Sequence, residues 1–145
     1  MVMTDEAESF EFFGGVNAAC HIDARGGWRG QGRATVGREG IEFALAGGFR
    51  WMGRRYVKRD DLACVYPVRA RRLSVTRVVA AIVPPLSDTG IRFLTHPVGM
   101  FADRDDYLFY SYRHEEWKLI DTLEELGYPV ERKLKSLRLF WGDEA

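Results

Sequence analysis

Apolar and polar positions alternate with period two over much of the first two thirds of the chain, the signature of strands with one buried face. Ile41, Phe43 and Leu45 alternate with Glu42 and Ala44, behind Arg33-Ala34-Thr35-Val36 and a Gly37-Arg38-Glu39-Gly40 turn. This predicts a hairpin. Gly47-Gly48 leads into Phe49-Arg50-Trp51-Met52 and then a strand over 54–58; residues 59–62 read as a short helical connection into a strand at 63–66 that ends at Pro67. The longest strand candidate is 73–83, rich in β-branched residues and stopped by Pro84-Pro85. A turn at 87–90 precedes a strand at 91–95, a loop covers 96–106, and a strand at 107–112 closes the series.

The period then changes. Within 113–126, Trp117, Leu119, Ile120, Leu123 and Leu126 share one half of a helical wheel and Lys118, Asp121, Thr122 and Glu125 the other. Glu115 and Glu116 suit the first turn of that helix, Gly127 its C-terminal cap, and Pro129 stops it. Gly26, Gly27, Gly30 and Gly32 read as a loop, so regular structure is expected from about Arg33. The predicted organisation is an acidic, aromatic arm and glycine-rich loop over 1–27, a domain over 28–128, and an extension over 129–145. Phe10, Phe12 and Phe13 of the arm are expected to pack back on the domain. The fold class is α+β, mostly β: about seven antiparallel strands form a strongly bent sheet, and one amphipathic C-terminal helix covers an opening of it.

Length and composition narrow the classes. A chain of 145 residues with 46% hydrophobic and 13% aromatic positions is one domain with material for a core. Two cysteines, Cys20 and Cys64, make neither a disulfide framework nor a paired metal site. No apolar run is long enough to span a membrane and the acidic start lacks a secretory pattern, so a cytoplasmic protein is expected, with peripheral membrane contact left open. The formal charge is zero, but unevenly so. Residues 1–24 carry five acids and no base, 25–77 thirteen bases and four acids, and 78–145 eight bases and twelve acids.

Three stretches carry a family resemblance: the hairpin at 33–43, the run from a basic strand through Asp60-Asp61 to an apolar strand at 56–65, and the helix Trp117-Lys118-Leu119-Ile120-Asp121-Thr122-Leu123-Glu124-Glu125-Leu126 with Gly127-Tyr128. Over about 28–128 the chain resembles the pleckstrin-homology-like superfamily, in particular small bacterial PH-like and GRAM-like domains. The resemblance implies a β-roll, or partly open barrel, capped by the helix. Phosphoinositide-binding members place a lysine and an Arg-x-Arg pair around the first hairpin. Here Arg33 and Arg38 stand in it, but Glu42 and Ala44 occupy places where further bases would be wanted. The family's other common role, holding a protein or peptide, is the better inference.

The basic band is the strongest chemical feature. Arg50, Arg54, Arg55, Lys58 and Arg59, interleaved with Trp51 and Tyr56, form the candidate partner or anion surface, with a second stretch at Arg69, Arg71, Arg72 and Arg77. Arginine and aromatic anchors of this kind are enriched in interface hot spots. The same surface suits anionic lipid, the alternative reading; overall neutrality argues against nucleic acid. No catalytic residue, metal site or cofactor is predicted. His21, His96 and His114 lack metal spacing, Cys64 reads as a small buried hydrophobe, and Asp103, Asp105 and Asp106 lack the glycine and distal glutamate of a calcium loop. The expectation is therefore a non-enzymatic binding module, with a small enzyme built from distant residues as a third reading. Leu137, Leu139, Phe140 and Trp141 are candidates for self-association.

Overall fold

The computed structural model describes residues 8–18, 28–47, 53–69, 89–97 and 105–136. The expected strand at 73–83, the arginines at 71, 72 and 77, Arg50, Trp51, Cys20, His21, Asp103 and the four residues proposed for self-association lie outside them.

Seven antiparallel strands form one open sheet: β1 (Ser9–Ala18), β2 (Trp28–Gly37), β3 (Gly40–Leu45), β4 (Arg54–Lys58), β5 (Leu62–Arg69), β6 (Thr89–Thr95) and β7 (Asp106–Ser111). Among the described residues a single α-helix, α1 (Glu116–Glu125), follows, and a two-residue β8 (Lys135–Ser136) adds in parallel to β5. The spatial order is β4-β3-β2-β1-β7-β6-β5-β8, so among the described residues the ends of the sheet are β4 on one side and β5 with β8 on the other. This is the mostly β, α+β arrangement that the periodicity predicts. The hairpin turns at Arg38 and Glu39, and β4 passes into β5 through a single 3-10 turn, Arg59–Asp61.

Regular structure begins well before Arg33, a correction to the expected glycine loop and aromatic arm. Phe10, Phe12 and Phe13 belong to β1, which lies in the middle of the sheet, pairing with β2 over its whole length and with β7 from Gly14 to Ala18. Gly14 and Gly32 face each other across β1 and β2, and a Cβ on either would overlap a neighbouring carbonyl oxygen, of Tyr110 or of Ala44. These glycines permit the close approach that the bend requires. β5 also runs on through Pro67. Val65, two residues earlier, points its backbone N–H and C=O away from β6, toward Pro129 O and the Glu131 N–H. By the same parity Pro67 turns its nitrogen to the sheet edge and removes no bond to β6.

One face of the sheet and α1 enclose the core. Phe12, Val36, Ile41, Phe43, Val65, Ile91, Phe93 and Phe109 meet Leu119, Ile120 and Leu123 in one buried cluster. Phe43 stacks on Tyr107 and sits edge-on to Phe93. Trp117, expected on the buried stripe, is instead exposed, and Glu116 is the buried residue of the first turn. The helix begins at Glu116 and not at the expected Arg113, because Ser111 Oγ accepts the N–H groups of Arg113 and Glu115 and His114 takes a left-handed φ of 56°. At about 100° per residue Glu116 falls between Leu119 and Ile120 at the centre of the buried stripe, while Trp117 falls at its margin, about 60° beyond Ile120. The C-terminus stops as predicted. Gly127, at φ 90°, donates to Glu124 O and Tyr128 N–H reaches back to Leu123 O at 3.0 Å, the paired bonds of a Schellman cap.

The extension closes the β5 edge. Residues 129–131 bond to both sides of Val65, Arg132 bridges to Asp121 and Glu124 of the helix, and Lys135 lies 4.3 Å over the Tyr66 ring. Among the described residues no helix is long and apolar enough to cross a membrane.

Three tyrosines tie this arrangement to alkaline pH. Burial raises the phenols of Tyr110, Tyr112 and Tyr128 above their usual value of 10, and Tyr128 Oη donates to Gly37 O at 2.6 Å. Their folded pKa values exceed the unfolded ones, so this contribution is full below about pH 10 and is lost as the unfolded chain ionises above it. Denaturant midpoints should fall between pH 9 and pH 11, and the fall should be shallower in Tyr110→Phe/Tyr128→Phe. Equal slopes for the variant and the parent would contradict this.

Candidate functional site

The period of two that builds β4 also sorts its basic residues. Arg54, Tyr56 and Lys58 are exposed on the outer face, while Val57 is buried against the core and Arg55, on the same side as Val57, is half-buried. Arg59 has left the strand. Its Nη1 donates to Leu126 O at 3.0 Å, placing a cation at the carbonyl end of α1. The expected surface of Arg54, Arg55, Tyr56, Lys58 and Arg59 is thus divided: three side chains share a face, one points to the core side, and one caps the helix.

Cross-strand register supplies new neighbours. Arg54 pairs with Ala44, Ala44 with Arg33, and Arg33 with Phe13, so two arginines flank a small alanine on the outer face. They line a depression of about 350 Å³ with Phe13, Ala44, Gly47 and Gly53, and no carboxylate is among the described residues of that lining. Arg33 Nε is buried there without a hydrogen-bond partner. Arg54 reaches Glu42 at only 3.4 Å with about two thirds of its side chain exposed, an ion pair too solvated to hold it firmly.

The next cross-strand row joins Tyr56, Glu42, Thr35 and Glu11. A second depression, of about 400 Å³, lies at that end, lined by Tyr56, Thr35 and Arg38 together with Glu8, Glu39 and Glu42. Thr35 Oγ1 is buried without a partner, and Arg38 pairs with Glu8 at 3.6 Å. The outer face therefore runs from a basic hollow to an acidic one, with Tyr56, 56% exposed, between them.

A polar group absent from the sequence reading lies on the other half of the sheet. Arg92 forms a two-point bridge to Asp106 (2.9 and 2.6 Å) and donates to Tyr66 Oη at 3.0 Å. Tyr66 belongs to a buried cluster with Val68, Leu94 and Leu108, and Arg92 stands opposite Tyr66 and Leu108 in the ladder. Burial, and then the charge of Asp106, raises the Tyr110 phenol nearby. Arg92 in an alternating strand was a visible signal; its partner was hidden by the intervening loop. All three anchors of this network are satisfied by one another, as in a structural clamp. No protein-family model matches the chain, and no curated protein matches it.

Proposed function

We propose that the chain is a non-enzymatic binding module of the pleckstrin-homology-like kind that engages a protein or peptide through the outer face of β4. The observation that carries this reading is the grouping of Arg54, Tyr56 and Lys58 on one exposed face beside the Arg33 hollow. An aromatic ring flanked by a guanidinium and an ammonium group gives contact area and directional, charge-assisted bonds, the features of an interface anchor. The pattern of seven antiparallel strands and a C-terminal helix is what the family resemblance implies. Glu11 and Glu42 on the same face disfavour a broad anionic membrane surface as the partner, because lipid attraction adds up over neighbouring bases. A peptide can thread between acids and bases; a lipid headgroup plane cannot.

Photo-cross-linking in cells with benzoylphenylalanine at position 56 tests the proposal, with position 117 as the exposed control. A discrete protein adduct from position 56, lost on Arg54→Glu, is the expected result. Absence of any adduct, or an adduct unaffected by Arg54→Glu, overturns it. Flotation with phosphatidylserine vesicles that weakens with salt would transfer the assignment to lipid.

A further inference from the structure

In an antiparallel ladder, alternate residues turn both backbone polar groups toward a given neighbour. Arg59 N–H donates to Glu39 O at 2.8 Å, and these two residues continue the register that pairs Gly40 with Lys58 and Ile41 with Val57. Counting back by two, Arg55 and Val57 direct their backbone groups to β3. Arg54, Tyr56 and Lys58 direct theirs away from it, to the side on which no described strand lies. The opposite end of the sheet is not comparable, since residues 129–136 already run along β5. Among the described residues the same three thus offer unpaired backbone at the edge of the sheet and exposed side chains on the outer face.

Such an edge is a template for another strand. Building on the β4 binding surface proposed above, we infer that the partner is an extended acidic segment that adds to β4 as a further strand. Residues 54–59 carry Arg54, Arg55, Lys58 and Arg59 before the first acid, Asp60. Carboxylates opposite Arg54 and Lys58, with a β-branched or aromatic residue opposite Tyr56, complement the edge. A second copy of β4 would set like charges against each other, which destabilises cross-strand pairs. The acid-rich end of the segment lies toward Arg54, where the described lining of the hollow holds Arg33 and no carboxylate, and away from Glu8, Glu39 and Glu42.

Lys58 gives a specific test. Its φ of −72° and ψ of 146° suit proline, and its N–H points outward, so Lys58→Pro leaves the ladder to β3 whole while deleting one edge donor. Lys58→Ala removes the charge and keeps the donor. The probe is a fluorescein-labelled peptide, Gly-Glu-Thr-Val-Thr-Glu-Glu-Gly, which in antiparallel register sets Glu, Val and Glu opposite Lys58, Tyr56 and Arg54, followed by fluorescence anisotropy. The expected result is salt-sensitive binding that Lys58→Ala weakens a few fold and Lys58→Pro at least about tenfold. Amide exchange of the full chain should show fast exchange at 54, 56 and 58 without probe and protection with it, and slow exchange at 55 and 57 in both states. No binding at millimolar probe, equal affinity of the two variants, or no protection at 54, 56 and 58 overturns strand addition. Loss of the position-56 adduct on Arg54→Glu would still stand in that case, leaving the face-on binding reading intact. Protection that grows with protein concentration alone assigns the edge to a second copy and also overturns the inference.

Discussion

Gly14→Ala should remove about 3–5 kcal/mol of stability, enough to leave a marginally stable domain largely unfolded. The added Cβ overlaps the carbonyl oxygen of Tyr110, a backbone atom held in the β1–β7 ladder, and Ser111 Cα stands at 3.0 Å. A flexible side chain would move aside; these atoms cannot without breaking pairing. β1 has a strand on each side at this position, with Gly14 opposite Gly32 of β2 and Ser111 of β7, so a shift propagates into both halves of the sheet. Gly37→Ala is the matched control. It lies in the same sheet, its nearest foreign atom is 3.7 Å from the added carbon, and the change should stay within about 1 kcal/mol. Guanidinium unfolding followed by circular dichroism reads both. Equal stability of the two variants would show that the bend does not depend on Gly14.

That glycine also explains why β1 escaped the sequence reading while the hairpin did not. Ile41, Phe43 and Leu45 alternate without interruption, and the turn at Arg38 and Glu39 is flanked by glycines, so pattern and turn chemistry agree. In β1 the alternation is broken by Phe12 beside Phe13 and then by Gly14-Gly15, and in β2 by Gly30 and Gly32. Glycine lowers strand propensity locally, yet here the tertiary bend selects it, and propensity loses to packing. The candidate site divides the same way. The separation of Arg54, Tyr56 and Lys58 from Arg55 and Val57 is a matter of parity, readable from five consecutive residues. The approach of Arg33 to Arg54 is not, because it depends on two successive registers fixed by the lengths of separate turns.

Asp106→Ala should cost about 3 kcal/mol, the penalty of leaving the Arg92 guanidinium without its partner. The side chains of Arg92 and Asp106 are 25% and 14% exposed, too covered for water to replace the two-point bridge in full. Tyr66 Oη accepts from Arg92 but carries no charge, so it cannot compensate; Tyr66→Phe alone should cost about 1 kcal/mol. Replacing both ions, as Arg92→Leu with Asp106→Leu, should recover much of the loss, since Arg92 stands beside the buried cluster that holds Val68, Leu94 and Leu108. The double-mutant cycle of Arg92→Leu, Asp106→Leu and their combination, read by denaturant unfolding, is therefore expected to give a coupling energy of about 2 kcal/mol. A cost below about 1 kcal/mol for Asp106→Ala would show the pair to be solvated, as exposed pairs are. Neither substitution touches the β4 face, so the folded fraction of each variant should bind the acidic probe with parental affinity, separating the clamp that holds the sheet from the edge that receives the partner.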